Sequence, residues 1–206
     1  MDTSNPPIFE AKLVLIGSSG VGKTSLMIRL RDGLFSPYIG STHGAEHILR
    51  EFTSGEYRLK VNICDTSGQE RYKAIAPNYF KGAHIVLFIY DVGSPESERS
   101  LLSWIDEVTG KNPFEFVGFL VGNKADNAPE ETYQISKTIQ EVIDKKEYTH
   151  FFASAKTGFN VEEVFQAGVD QCVRLGLVEK NQRRKSSSRM KLAAPAPTPQ
   201  QNRGCC

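Results

Sequence analysis

Cysteine is scarce: the 206 residues hold four, Cys64, Cys172, Cys205 and Cys206. No spacing among them resembles a disulfide framework or a zinc site, so a reducing compartment is expected. No apolar run approaches the roughly 20 residues needed to cross a bilayer. The opening residues lack a basic stretch followed by a long apolar one and are not expected to act as a secretory signal. Net charge is also nearly absent, at +1, which excludes a chain that binds nucleic acid by bulk charge. That average hides an asymmetry. Residues 179–206 carry seven Lys and Arg against one Glu, a net +6, leaving −5 for residues 1–178.

A hydrophobic content of 39% with 24% charged residues suits one folded domain with a solvated surface. Apolar runs alternate in type along the chain. Residues 12–16, 85–90, 116–121 and 150–153 are short and nearly continuous, as in strands buried on both faces. Residues 23–31, 97–108, 131–146 and 161–175 carry helical spacing. Residues 46–53 and 57–64 form a strand pair joined at Ser54-Gly55. Such alternation predicts an α/β fold with a mostly parallel sheet covered on both sides. Residues 1–9 are expected to be disordered, 10–178 to form the domain, and 179–206 to be a flexible basic, Pro-rich tail.

In parallel sheets, ligands bind beyond the carboxyl ends of the strands. The informative motifs sit there. Residues 17–24 read GSSGVGKT, a phosphate-binding loop placed between a strand and a helix. Its glycines let backbone N–H groups wrap phosphate oxygens, and the helix N-terminus favours negative charge. Ser18, Ser19, Gly20, Val21, Gly22, Lys23, Thr24 and Ser25 are therefore nucleotide-binding candidates. Lys23 is placed at the β- and γ-phosphates and Thr24 at Mg²⁺. NKAD at 123–126 and SAK at 154–156 each follow a strand. Asp126 can accept two hydrogen bonds from the guanine N1–H and amine; adenine lacks that pair of donors. Asn123, Lys124, Ser154, Ala155 and Lys156 complete the base end.

With DTSGQE at 65–70, these motifs stand in the order and spacing of Ras-superfamily GTPases. RYKAIAPNYFKGAH at 71–84, YDV at 90–92, the Trp104 helix and the terminal Cys-Cys most resemble the Rab family. The resemblance implies a P-loop GTPase fold: a mostly parallel six-stranded sheet, one antiparallel edge hairpin, and helices on both faces. It implies a GTP/GDP switch with Mg²⁺ that hydrolyses GTP slowly and regulates vesicle traffic. Thr42 would ligate Mg²⁺ and touch the γ-phosphate, and Asp65 would hold Mg²⁺ through water. Gly68 would donate to the γ-phosphate, Gln69 would orient the attacking water, and Lys23 would neutralise charge, the three forming the catalytic set. Phe35 and Lys124 would cover the two faces of the guanine ring. No arginine occupies an inserted finger position, so a GTPase-activating protein is expected to supply one.

The same resemblance implies an exchange factor, effectors, the Rab escort protein and a GDP-dissociation inhibitor as partners. Cys205 and Cys206 would carry geranylgeranyl groups, since two chains anchor stably where one does not. The expected location is the cytoplasmic face of intracellular membranes, with a cytosolic pool; nucleic-acid binding and stable oligomers are not expected, so a monomer is. The sequence departs from the Rab pattern at the hinge serine, Ser67, where alanine is usual. It also reads THGAEH at 42–47 where Rabs usually have TIGVDF. His43, His47, Cys64 and Tyr79 are the expected effector-facing residues, with His47 and Cys64 replacing large apolar ones. Metal ligation by the two histidines lacks supporting groups, whereas a pH-sensitive partner contact at His47 is open. Ser67 and the altered segment leave an alternative, a poorly hydrolysing GTP-bound membrane adaptor. An ATP-using enzyme is disfavoured by Asp126.

Overall fold

The computed structural model describes residues 8–42, 44–68, 76–127 and 134–179, with residues 76 and 77 as backbone only. Gln69, His43, Cys205 and Cys206 lie outside the described residues, as does most of the tail. Among the described residues, six strands form one sheet in the order β2-β3-β1-β4-β5-β6. They are β1 (Ile8–Ile16), β2 (Ala45–Ser54), β3 (Tyr57–Thr66), β4 (Ile85–Asp91), β5 (Val117–Asn123) and β6 (Thr149–Phe152). The β2–β3 pair is antiparallel and the other four pairs are parallel. This is the mostly parallel sheet with one edge hairpin that the sequence predicts.

Described helices flank it: α1 (Lys23–Asp32), α2 (Ala76–Phe80), α3 (Pro95–Lys111), α4 (Lys137–Lys146) and α5 (Val161–Arg174). The strands separate two apolar layers. Leu13, Leu15, Ile63, Leu87 and Phe119 point toward α1 and α5, against Leu26, Leu30, Phe165 and Val169. Val14, Ile16, Val86, Phe88 and Leu120 point the other way, against Leu101, Trp104, Ile105, Ile139 and Val142 of α3 and α4. Alternate residues of β1 and β4 thus feed opposite cores, which is why both runs are continuously apolar. Burying each such side chain contributes about 1.5–3 kcal/mol.

Helix ends follow local chemistry. Ser94 accepts the Ser97 N–H at the start of α3, with Pro95 next to it. α1 ends at Gly33, whose φ of 68° only glycine adopts without strain, and whose N–H closes on the Arg29 carbonyl. Three expectations need correction. The helix expected from residue 131 begins at Lys137, because the Ser136 hydroxyl accepts the Ile139 N–H and caps it there. Ile8 and Phe9, expected in the irregular N-terminal segment, belong to β1, where Phe9 packs on Tyr57. The helical spacing of residues 97–108 reads Leu101, Leu102, Ile105 and Val108 as one buried stripe, but Leu102 is exposed.

Candidate nucleotide site

The carboxyl ends of β1, β3, β4, β5 and β6 open on one side of the sheet. Their loops enclose a cleft of about 460 Å³. Ser19, Gly20, Gly22, Lys23, Thr24 and Ser25 line one end of it, and Asn123, Lys124, Asp126, Ala155 and Lys156 the other. Phe35 and Thr42 wall it, along with Ser67 and Gly68. Ser18, Val21, Asp65 and Ser154 sit behind that lining and support it.

At the phosphate-loop end, Lys23 is nearly buried, and its Nζ donates to the Gly17 and Ser18 carbonyls at 2.9 Å each. The Thr24 hydroxyl donates to Asp65 Oδ2 at 2.6 Å and lies 2.8 Å from the Thr42 hydroxyl. Thr42 Oγ1 is 3.4 Å from the same carboxylate oxygen. Three residues far apart in sequence thus bring hard oxygens to one point. Burial pushes the Asp65 carboxyl above its ordinary value, opposed by the Thr24 hydroxyl, the Lys23 ammonium and the Thr42 hydroxyl. Its Oδ1, and the Ser18 hydroxyl, are buried with no hydrogen-bond partner among the described residues. A hard divalent cation fits this donor set, since Mg²⁺ takes few protein oxygens and retains waters.

Gly68 is held against this end. A Cβ on it would lie 2.3 Å from the Ser18 carbonyl carbon and 2.4 Å from Lys23 Nζ and from the Ser19 nitrogen. Only glycine can approach so closely. Ser67, 6% exposed, anchors the approach by donating its N–H to the Gly44 carbonyl at 2.9 Å. That bond ties the segment after β3 to the segment before β2.

At the other end, Ser154 Oγ donates to Asp126 Oδ1 at 2.6 Å, and Lys156 Nζ lies 3.2 Å from Oδ2. Burial pushes the Asp126 carboxyl up, but the Ser154 and Lys156 hydrogen bonds, the Lys156 charge and a backbone hydrogen bond together hold it below the usual carboxylate range. Asn123 joins both ends: its Nδ2 donates to the Val21 carbonyl at 2.8 Å, and its Oδ1 accepts the Ala155 N–H at 3.2 Å. Lys124, with a φ of 63°, reaches Asp91 Oδ2 at 2.7 Å. Phe35 stands half-open at 37% exposure.

Two contributors are not legible in the sequence. Asp91, at the end of β4, holds Lys124. Arg29, on α1, donates to the Ala155 and Lys156 carbonyls at 2.7 and 2.6 Å. Its only sequence signal is a charge three residues beyond Leu26, beside the buried stripe of α1.

The expected effector-facing residues divide. His47 is exposed on β2; its Nδ1 donates to Asn62 Oδ1 at 3.1 Å, and its Nε2 lies 3.7 Å from Cys64 Sγ. Tyr79 is half-buried. Cys64 needs correction: it is fully buried in the α3-side core, beside Val14 and Ile16, and presents no surface of its own. Burial pushes its thiol up to about 11, so it is unreactive near neutrality. Among the described residues no group of three or more His, Cys, Asp or Glu is placed to hold a metal ion, and no helix is long and apolar enough to cross a membrane.

Comparison with known proteins agrees with this geometry. The Ras family profile matches residues 12–174. The chain is 35% identical over 162 residues to the Ras-related protein Rab-5A of Dictyostelium discoideum, covering 79% of this chain and 80% of that protein. It is 35% identical over 164 residues to the Ras-related protein Rab-18 of Lymnaea stagnalis, covering 79% and 80%. Against the Ras-related protein RAB1BV of Beta vulgaris it is 38% identical over 154 residues, covering 75% and 72%. With the phosphate-loop motif at one end of its cleft and the Asp126 carboxylate at the other, the chain belongs to the Rab family of the Ras superfamily of small GTPases, the GTP-hydrolysing regulators of membrane traffic.

Proposed function

We propose that this Rab-type GTPase is a slow switch that depends on partners for its off-step. The observation that supports it best is the meeting, in one cleft, of Lys23 with the Thr24–Thr42–Asp65 oxygens at one end and Asp126 at the other. Lys23 and the N–H groups of residues 18–25 bind the phosphates. Thr24 and Thr42 would ligate Mg²⁺ directly, and Asp65 would hold it through water. Such an ion would supply positive charge against the phosphates. Gly68 donates its N–H to the γ-phosphate, and Gln69 orients the attacking water. Asp126 accepts from the guanine N1–H and amine, while Phe35 and Lys124 cover the ring faces. Hydrolysis of this kind needs positioning and charge stabilisation more than covalent chemistry.

The reading extends to partners. Among the described residues no arginine lines the cleft, which supports a finger supplied by a GTPase-activating protein. An exchange factor, effectors, the escort protein and the dissociation inhibitor complete the cycle of a monomeric domain that begins with β1 at Ile8. The tail, 179–206, carries six net positive charges toward anionic lipid, each contributing about 1 kcal/mol near the surface. Geranylgeranyl groups on Cys205 and Cys206 anchor it at the cytoplasmic face of endomembranes, with a cytosolic pool.

The test is identification of the bound nucleotide followed by single-turnover hydrolysis by residues 1–178, comparing the native sequence with Gln69→Leu and Ser67→Ala. Bound guanine nucleotide, slow hydrolysis and a nearly inactive Gln69→Leu support the switch. Guanine nucleotide with no hydrolysis, restored by Ser67→Ala, replaces it with a long-lived GTP-bound adaptor.

A further inference from the structure

We infer that Arg29 is the residue that aims the base-reading loop, making guanine recognition depend on a side chain of the phosphate-loop helix. The inference rests on the guanine-nucleotide reading of the cleft. Arg29 lies in the last turn of α1, 126 residues from Ala155 in sequence. Its guanidinium spreads over three carbonyls: Nε to Ala155 at 2.7 Å, Nη2 to Lys156 at 2.6 Å, and Nη1 to Gly33. Its stem runs beside the same loop, with Cδ 3.8 Å from where a Cβ on Gly158 would stand.

Peptide planarity turns these contacts into an aim. The C=O of Ala155 and the N–H of Lys156 belong to one rigid plane and point in opposite directions. Holding the carbonyl toward Arg29 sends that N–H away from α1. Ala155 and Lys156 both line the cleft. On the other side of Ala155, its own N–H is fixed by Asn123 Oδ1 at 3.2 Å. The loop is therefore gripped from both sides, and the Lys156 N–H, turned away from α1, is the donor assigned to the guanine 6-oxo group. The grip on Lys156 has a second use: it sets the backbone from which the Lys156 ammonium reaches Asp126.

The fork geometry matters. Arg offers donors in a fixed plane and can serve several carbonyls at once, whereas Lys presents a single ammonium on a flexible stem. The Gly33 contact adds reach, because Gly33 precedes Phe35, which walls the same cleft. One side chain thereby joins the phosphate-loop helix, the base loop and the root of the segment that carries Phe35 and Thr42. Arg29 touches none of the reacting atoms, so it is a positioning residue.

The experiment compares the full chain with Arg29→Met and Arg29→Lys, measuring affinities for GDP and for the diphosphate of 2-aminopurine riboside, which lacks the 6-oxo group. In the native protein GDP binds more tightly by the joint contribution of that oxygen and of the N1–H, which 2-aminopurine also lacks and Asp126 accepts. Arg29→Met keeps the apolar stem and removes the donors. It should weaken GDP by about tenfold while leaving the 2-aminopurine nucleotide nearly unchanged, so the preference narrows by about that factor, and the part carried by the N1–H on Asp126 stays. Arg29→Lys should restore part of the preference, and it carries the same test if Arg29→Met fails to fold. Equal weakening of both nucleotides, with the preference intact, would show that Arg29 only supports the fold and would overturn the inference. A native protein that binds neither nucleotide would instead remove the guanine reading on which it rests.

Discussion

At the base end of the cleft, Asp126 is held by Ser154 and Lys156, Asn123 by Val21 and Ala155, and Lys124 by Asp91. At the phosphate end, Ser18 Oγ and Asp65 Oδ1 are buried with no partner among the described residues, and Asp65 is pushed toward its protonated form by burial. At the first end these side chains are paired with one another and with the backbone; at the second, two buried oxygens are left over. A recognition surface gains when its groups are already aimed, because they then lose little entropy on binding. A phosphate and cation site gains from unsatisfied groups, because the ligand then relieves a cost the protein already carries. The two ends should therefore respond to mutation in different ways.

The largest expected effect is at the ordered end. Asp126→Asn exchanges the double acceptor for a group that offers a donor, so GDP affinity should fall while xanthosine diphosphate gains. Sites built around such hydrogen bonds discriminate by roughly 10⁴-fold. Competition binding with the two diphosphates measures it, and unchanged preference would mean that Asp126 does not read the base.

Next comes the joint between the ends. Gly22 has a φ of 96°, and a Cβ there would lie 2.3 Å from Asn123 Nδ2. Gly22→Ala combines backbone strain with displacement of the side chain that bonds both ends. Destabilisation of about 3 kcal/mol is expected, with GDP release accelerated at the same time. Gly55→Ala, in the β2–β3 turn, where φ is 57° and a Cβ meets nothing within 4 Å, controls for strain alone. If the two variants release GDP equally fast, Asn123 does not couple the ends.

At the phosphate end the sign should invert. The Asp65 carboxyl has a folded-state pKa raised above its unfolded value, so its contribution to stability is fully present below the unfolded pKa and is lost as pH rises through the folded value. At neutral pH the charged form is a cost. Asp65→Asn should therefore leave the nucleotide-free protein as stable as the native chain or more so. The same change should weaken the Mg²⁺-dependent part of nucleotide binding by about 10–100-fold. Thermal unfolding without ligand, set beside affinity with and without Mg²⁺, separates the two; lower stability in the free protein would break the contrast.

How much of this is legible in the sequence depends on the range of the interaction. Buried strands β4 and β5 are readable because both faces demand apolar residues, leaving no alternation to misread. The motif loops are readable because phosphate and base chemistry fixes residue types at fixed spacing. The start of α4 is not, because Ile135, Ile139 and Val142 keep helical phase, and phase alone does not say where the Ser136 hydroxyl stops the helix. Family resemblance puts Cys64 on a surface, whereas its place in a strand-like apolar run reads it as a small buried hydrophobe, and packed with Val14 and Ile16 it is buried. Arg29 and Asp91 act on partners across the fold, through a carbonyl and a lysine, and no local pattern marks either.

The smallest expected effect compares the ends in acid. His150 of β6 is packed on Phe152, and its Nε2 lies 2.9 Å from the Tyr90 hydroxyl. Burial lowers its pKa from 6.5 to about 4. The folded state therefore excludes a proton that the unfolded chain accepts. The stability this contributes is present above the unfolded value and is lost as pH falls from about 6.5 toward 4. Over the window from about pH 7 to pH 4.5 the loss amounts to about 2–3 kcal/mol. Asp65 moves the other way, since protonation relieves its burial. Acid should then loosen the strand that carries the base loop while easing strain under the phosphate loop. Melting temperatures between about pH 7 and pH 4.5, for the native chain and His150→Gln, measure the first half of that statement. The amide keeps a partner for Tyr90 without titrating, so its slope should be shallower. Equal slopes would place the acid sensitivity elsewhere and leave the base end no more fragile than the phosphate end.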